Sequence, residues 1–224
     1  DRGIELQPDY AWAIARRGET YRRMGRYDEA LADFDRGIEL QPDYAWAIAR
    51  RGDVYQALKQ YEEAESDYQR AIQLEPDNAL HHNNLGEVYL KWRRLDDAKR
   101  EFEKRAQMRP EDALNGYVCL GLIACYQGNI DEVRQQFEQA LLIWNTAWEQ
   151  QLQTPAALLE NKAIALLCLG QREAALQTLK EAKVQLRRED VVDFDRYELL
   201  SSAPQIPEGL NEVVTLLQQI ARDH

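Results

Sequence analysis

No stretch of about 18 consecutive apolar residues occurs in this 224-residue chain, so no segment reads as a membrane-spanning helix. Positive charge is scarce. Lys and Arg number 28 against 39 Asp and Glu, a formal net charge of −11. That balance argues against nucleic acid as the main partner, because duplex binding draws on Lys and Arg to displace counterions. Histidine is scarcer still: His81, His82 and the terminal His224 are the whole supply. No Ser/His/Asp set can be placed, and neither a Gly-rich phosphate loop nor a pair of carboxylates in an apolar pocket is found. No catalytic residue, cofactor or enzymatic activity is expected.

Metal ligands are equally short. His81 and His82 are adjacent and point about 100° apart on a helix, which prevents chelation from one face; polar packing at the surface or between helices is their expected role. Cys119 and Cys125 stand too far apart in sequence for the close-set cysteine pairs of zinc sites. Asp190, Asp193 and Asp195 lack the glycine and bidentate glutamate of a calcium loop and read as a solvated loop or helix cap. The cysteines, Cys168 included, are odd in number and lie in apolar helical contexts. They suit a reducing compartment as small hydrophobes, and the expected setting is cytoplasmic. The opening residues DRGIELQPD are not a signal peptide.

What the chain has is repetition. Residues 1–18, DRGIELQPDYAWAIARRG, return letter for letter as residues 35–52, an offset of 34. A fixed period in this range marks a repeat array, in which each unit buries its apolar face only against its neighbours. Asp1–Leu6 match Asp35–Leu40, the closing part of a helix, so the natural protein is expected to extend further toward the N-terminus.

One period reads as two amphipathic helices. Tyr10–Met24 places Ala11, Ile14, Gly18 and Tyr21 on one face. Gly25-Arg26 breaks it, and Tyr27–Leu40 carries Ala30, Leu31, Phe34 and Ile38 on a second stripe. Gln41-Pro42-Asp43 then stops the helix. Gly18, Gly52, Gly86 and Gly121 sit mid-helix, where glycine costs about 0.5–1 kcal/mol relative to alanine. Their recurrence predicts close helix approach, with Ala30, Ala64 and Ala98 facing the gap and Phe34, Tyr68, Phe102 and Phe137 filling the space between pairs.

The framework Gly18, Tyr21, Ala30, Phe34, Pro42, repeated as Gly52, Tyr55, Ala64, Tyr68, Pro76 and as Gly86, Tyr89, Ala98, Phe102, Pro110, resembles the tetratricopeptide repeat family. The resemblance implies an all-α fold, a right-handed superhelical solenoid of helix–turn–helix repeats. The array is expected over 1–188, with a partial helix at 1–7 and units near 11–44, 45–78, 79–112, 113–152 and 155–188. The fourth unit has an extra residue early and lacks a closing proline. Arg105 stands where a small residue is expected, as Gly37 and Ala71 are, and so questions the packing between the third and fourth units. After Ala140 the helix is expected to run on through Trp144, Trp148 and Leu152 to Thr154-Pro155, about 20 residues against a mean of about 11–12. Residues 189–224 read as a charged linker and a C-terminal capping helix, with Leu210, Val213, Val214, Leu217 and Ile220 on one stripe.

The same resemblance implies a concave groove lined by the first helices, where a peptide or partner protein binds. Its candidate residues are Trp12, Arg16, Glu19 and Arg23 from the first unit, Trp46, Arg50 and Asp53 from the second, and Asn83, Asn84, Glu87 and Lys91 from the third. Trp and Arg are enriched at binding hot spots, and the set fits a partner with acidic and apolar residues. Against this stands a purely structural reading: the tryptophans pack on neighbouring helices and the arginines pair with Glu19 or Asp53. The lysine and asparagine needed to clamp a C-terminal carboxylate are absent, since Ala15 and Glu19, or Ala49 and Asp53, stand there. The expected role is an interaction scaffold, the sensor or partner-binding arm of a larger regulatory protein. The alternative is a structural module that self-associates end to end.

Overall fold

Ten α-helices and no strand occur among the described residues, 10–147 and 156–185, of the computed structural model. They are α1 (Ala11–Arg23), α2 (Tyr27–Leu40), α3 (Ala45–Ala57), α4 (Tyr61–Leu74), α5 (Ala79–Lys91), α6 (Leu95–Ala106), α7 (Pro110–Gln127), α8 (Ile130–Ala147), α9 (Ala156–Cys168) and α10 (Arg172–Gln185). The all-α class and the helix–turn–helix pairing expected from the period are both present. The partial helix at 1–7 and the capping helix expected within 189–224 lie outside the described residues. So does the continuation of α8 beyond Ala147; its described part is 18 residues long.

Each pair turns on one left-handed residue: Gly25 (φ 71°), Lys59 (φ 61°), Arg93 (φ 62°), Gly128 (φ 73°) and Gly170 (φ 77°). The residue after it closes the turn by donating back to the last helical turn, as in Arg26 N–H to Tyr21 O and Gln60 N–H to Tyr55 O, both 2.9 Å. Glycine takes this conformation without steric penalty, whereas Lys59 and Arg93 hold it against one. The second helices open on acids, Asp28-Glu29, Glu62-Glu63, Asp96-Asp97 and Asp131-Glu132, which suit the positive end of the helix dipole.

The chain forms two compact units, residues 1–101 and 102–224, divided within α6. In the first, α1 packs on α2 and α3 on α4. Successive pairs join through α2 against α3 and α4 against α5, and the first helices are also neighbours, α1 with α3 and α3 with α5. Ala30, Phe34, Ala64 and Tyr68 are wholly buried. A Cβ at Gly18 would meet Asp33 Cβ at 3.1 Å and the Ala30 carbonyl oxygen at 3.3 Å, which is the close approach that the recurring glycine predicts. Across the same seams Arg17 donates to both carboxylate oxygens of Asp33 (2.7 and 2.7 Å), and Arg51 to both of Asp67 (2.8 and 2.6 Å).

In the second unit α7 packs on α8, α9 on α10, and α9 also meets α8 and α7. The core holds Leu114, Val118, Leu122, Phe137, Ala140, Trp144, Leu159, Ile164 and Leu179, with Cys125 inside it and Cys168 packed against it. Pro110 does not lie in a closing turn; it starts α7, where its missing N–H is no loss. Next to Arg105, Ala106 is approached by Gly116 of α7 so closely that a Cβ there would lie 2.7 Å from the Ala106 nitrogen. The histidine pair is buried polar packing: His82 Nδ1 lies 2.7 Å from Glu101 Oε2, joining α5 to α6, and His81 Nε2 lies 2.9 Å from Glu75 Oε2.

Candidate functional site

Eight of the eleven residues singled out on the first helices fall into three clusters on α1, α3 and α5. The first is aromatic. Arg16 lies over the ring of Trp12, 5.5 Å from its centroid, and over that of Trp46 at 4.9 Å. Tyr10 stacks on Trp12 at 5.8 Å and Tyr44 lies beside Trp46 at 5.7 Å. Trp12 is 49% exposed and Arg16 is exposed, whereas Trp46 is half-buried with an edge against Phe34. Burial raises the Tyr44 hydroxyl above its ordinary range, with the Arg16 charge opposing it.

The second cluster centres on Glu19, which is buried in spite of its charge. Arg22 donates to both of its oxygens (2.7 and 3.0 Å) and Arg23 to one (2.7 Å). Burial alone would raise this carboxyl, but the bonds from Arg22 and Arg23 and the charges of Arg22 and Arg50 outweigh it and hold it below the usual glutamate range.

Asp53 organises the third. It accepts from Arg50 (2.6 Å), from the Tyr68 hydroxyl (2.5 Å) and from the Asn84 amide (3.3 Å), so one carboxylate ties α3, α4 and α5 together. Burial pushes Asp53 up, and pushes the Tyr68 hydroxyl well up. On α5, Asn83 is buried and donates to Glu87 at 2.7 Å, while Lys91 is exposed in the last turn.

Two different arrangements thus come from one duplicated helix. Arg50 and Arg23 pair with carboxylates of their own helices, as the structural reading expects. Arg16 does not: among the described residues no carboxylate pairs with it, and the two indoles hold it instead. Four participants were not among the expected groove residues, namely Tyr10, Tyr44, Arg22 and Tyr68, the last expected only to fill the space between pairs. A comparison at the 34-residue offset carries the signal for two of them, since Arg22 faces Gln56 in the next copy and Tyr68 faces Phe34.

Residues 11–44 match the family model described as tetratricopeptide repeat, and residues 52–91 match one described as TPR repeat. No curated protein sequence matches the chain. Among solved structures the chain is similar to YrrB, described as a TPR protein with an unusual peptide-binding site: 21% identity over 84% of this chain and 92% of that one, TM-score 0.55. It is also similar to PilF of Pseudomonas aeruginosa, at 19% identity over 95% and 87% of the two chains with TM-score 0.58, and to the MamA protein, at 15% over 87% and 96% with TM-score 0.54.

Proposed function

Because this chain belongs to the tetratricopeptide repeat family, we propose that it is a protein-interaction scaffold that holds a peptide or partner-protein segment across the first-helix face of α1, α3 and α5. The observation that carries this reading is the exposure of large apolar groups where the first helices begin. Tyr10 is 46%, Trp12 49% and Leu80 45% exposed. The indole of Trp12 is left half in water beside a guanidinium, and this pairing of residue types is typical of interface anchors. The peptide-binding site described for YrrB is consistent with such use of the fold. A binding arm of a larger regulatory protein, in a cytoplasmic setting, remains the wider form of the proposal. The end-to-end alternative rests on the apolar face of the truncated first unit, whose partial helix at 1–7 lies outside the described residues.

Arg50→Ala would leave Asp53 buried without its cation, so a loss of binding could reflect damage to the fold. Trp12→Ser avoids that. Peptides selected against the wild-type chain from a random library should bind the Trp12→Ser protein at least about fivefold more weakly, within the usual effect of truncating one interface anchor. They should bind a Leu142→Ser protein, altered at an exposed leucine of α8, without change. Equal affinity for both variants would remove the first-helix face from consideration.

A further inference from the structure

We infer that Arg16 is the acid-reading element of this face, taking the carboxylate of an aspartate or glutamate side chain in the partner peptide, and that its duplicate Arg50 is not. The inference rests on the docking face proposed above. The octet AWAIARRG occupies residues 11–18 and again 45–52, so Arg16 and Arg50 have the same helical neighbours within their copies. What separates them lies outside the octet. At three and four residues beyond the acid, the first copy has Arg22 and Arg23, which between them bond both oxygens of Glu19. The second has Gln56 and Ala57 there, so Asp53 is left to take Arg50 at 2.6 Å. Glu19 takes three bonds from Arg22 and Arg23, and Arg16 lies against the indoles instead. The next repeat then offers Arg16 the ring of Trp46, whereas the sequence has Leu80, with no aromatic ring, at the same offset from Arg50.

The Arg16 guanidinium carbon lies over both indoles, 5.5 and 4.9 Å from their centroids, an attraction to the π-clouds that uses no carboxylate and leaves the donor edge of the fork for a ligand. That planar fork matches a carboxylate, and the flanking rings restrict its rotamers before any ligand arrives, which lowers the entropy lost on binding. The exposed rings of Tyr10 and Trp12 provide apolar contact next to that edge. On the wider face Arg16, Arg22, Arg23, Arg50 and Lys91 outnumber Glu19, Asp53 and Glu87, in a chain whose net charge is −11. An acidic segment is therefore repelled by most of the surface and accepted here. A single guanidinium with aromatic walls suits a side-chain carboxylate more than a phosphate dianion, because Arg17, Arg22 and Arg50 are already bonded to Asp33, Glu19 and Asp53.

The probes are two blocked tripeptides, N-acetyl-Leu-Glu-Leu-amide and its glutamine isostere, with inorganic phosphate as a third arm, titrated into the full chain while arginine Nε–H resonances are followed. The glutamate peptide should displace the Arg16 resonance saturably and leave that of Arg50 in place. The glutamine isostere should bind about tenfold more weakly, the ratio expected for one charge-assisted pair. Arg16→Lys, which keeps the charge and loses the fork, should lower affinity for the glutamate peptide with no change in helicity. Equal response to the two peptides, tighter binding of phosphate, displacement of Arg50 instead, or no displacement up to the solubility limit would each overturn the inference. A selected peptide that loses affinity for Trp12→Ser but keeps it for Arg16→Lys would overturn it too, with the docking face left standing.

Discussion

Gly116 and Ala106 bring α7 and the last turn of α6 into backbone contact. A Cβ on Gly116 would lie 2.7 Å from the Ala106 nitrogen and 2.9 Å from its Cα. Backbone atoms cannot swing aside as a side chain can, so Gly116→Ala should lower stability by about 2–3 kcal/mol through overpacking, despite a helix-propensity gain of about 0.5–1 kcal/mol. At Gly52 the added Cβ would instead meet the Tyr68 ring at 3.2 Å, and Gly52→Ala should stay within about 1 kcal/mol of wild type. Urea unfolding followed by far-UV circular dichroism checks both, and equal midpoints for the two variants would contradict the close approach.

Lys59 offers a gain. It holds φ at 61° in the α3–α4 turn, a conformation that Gly25 supplies one repeat earlier. Left-handed backbone costs a non-glycine residue about 1–2 kcal/mol, part of which is offset by the greater unfolded-state entropy of glycine. Lys59→Gly should therefore stabilise by about 0.5–1 kcal/mol, and Gly25→Lys should do the reverse. A thermal midpoint that falls for Lys59→Gly would refute this account of the turn.

Arg51 donates to both oxygens of Asp67 and, at 2.6 Å, to Asp35, and these bonds raise its pKa. The Asp67 side chain is only 6% exposed, so Arg51→Ala would leave a buried carboxylate without its cation. The expected loss is about 2–3 kcal/mol, below the range for fully buried pairs because Arg51 is partly solvated. Arg51→Lys should recover less than half of that, since an ammonium cannot span both oxygens. Replacing both partners, Arg51→Met with Asp67→Leu, should be milder than Arg51→Ala alone. Chemical denaturation of the three proteins tests the order.

The repeat period and its framework were legible because each framework position is defined by packing that recurs wherever the period does. Gly18 against Ala30 and Asp33 is one such contact, and the wholly buried Phe34, Tyr68 and Phe137 are others. The partners of the charged residues were less so. Arg16 and Arg50 lie in eighteen identical letters of sequence, and their different bonds are decided by Arg22, Arg23 and Trp46 against Gln56, Ala57 and Leu80. These positions lie in the next turn or the next repeat, and only folding brings them within reach. Arg105 is a second case. Read as a flaw in the small-residue column, it stands beside Ala106, where α7 makes its close approach through Gly116, a contact that the column, set by Gly37 against Ala15 of its own pair, does not describe.

Glu19 should leave a signature in the pH dependence of stability. Its folded pKa lies below the ordinary glutamate value because, against the opposing effect of burial, Arg22 and Arg23 bond its ionised form. A depressed acid contributes stability that is complete above its unfolded pKa, about 4.3, and lost as pH falls through the lower folded value. The gap in unfolding free energy between wild type and Glu19→Gln, about 1.5–3 kcal/mol for bonds to charged groups, should thus be constant from pH 7 to about 5 and close at still lower pH. Asp53 works in the opposite sense, since burial raises it and the folded chain takes up its proton first; it is present in both proteins and largely cancels in the difference. Urea midpoints measured across the acid limb decide the matter. A gap that persists unchanged below the folded pKa would mean that Glu19 stabilises through packing, with its ion pairs adding nothing.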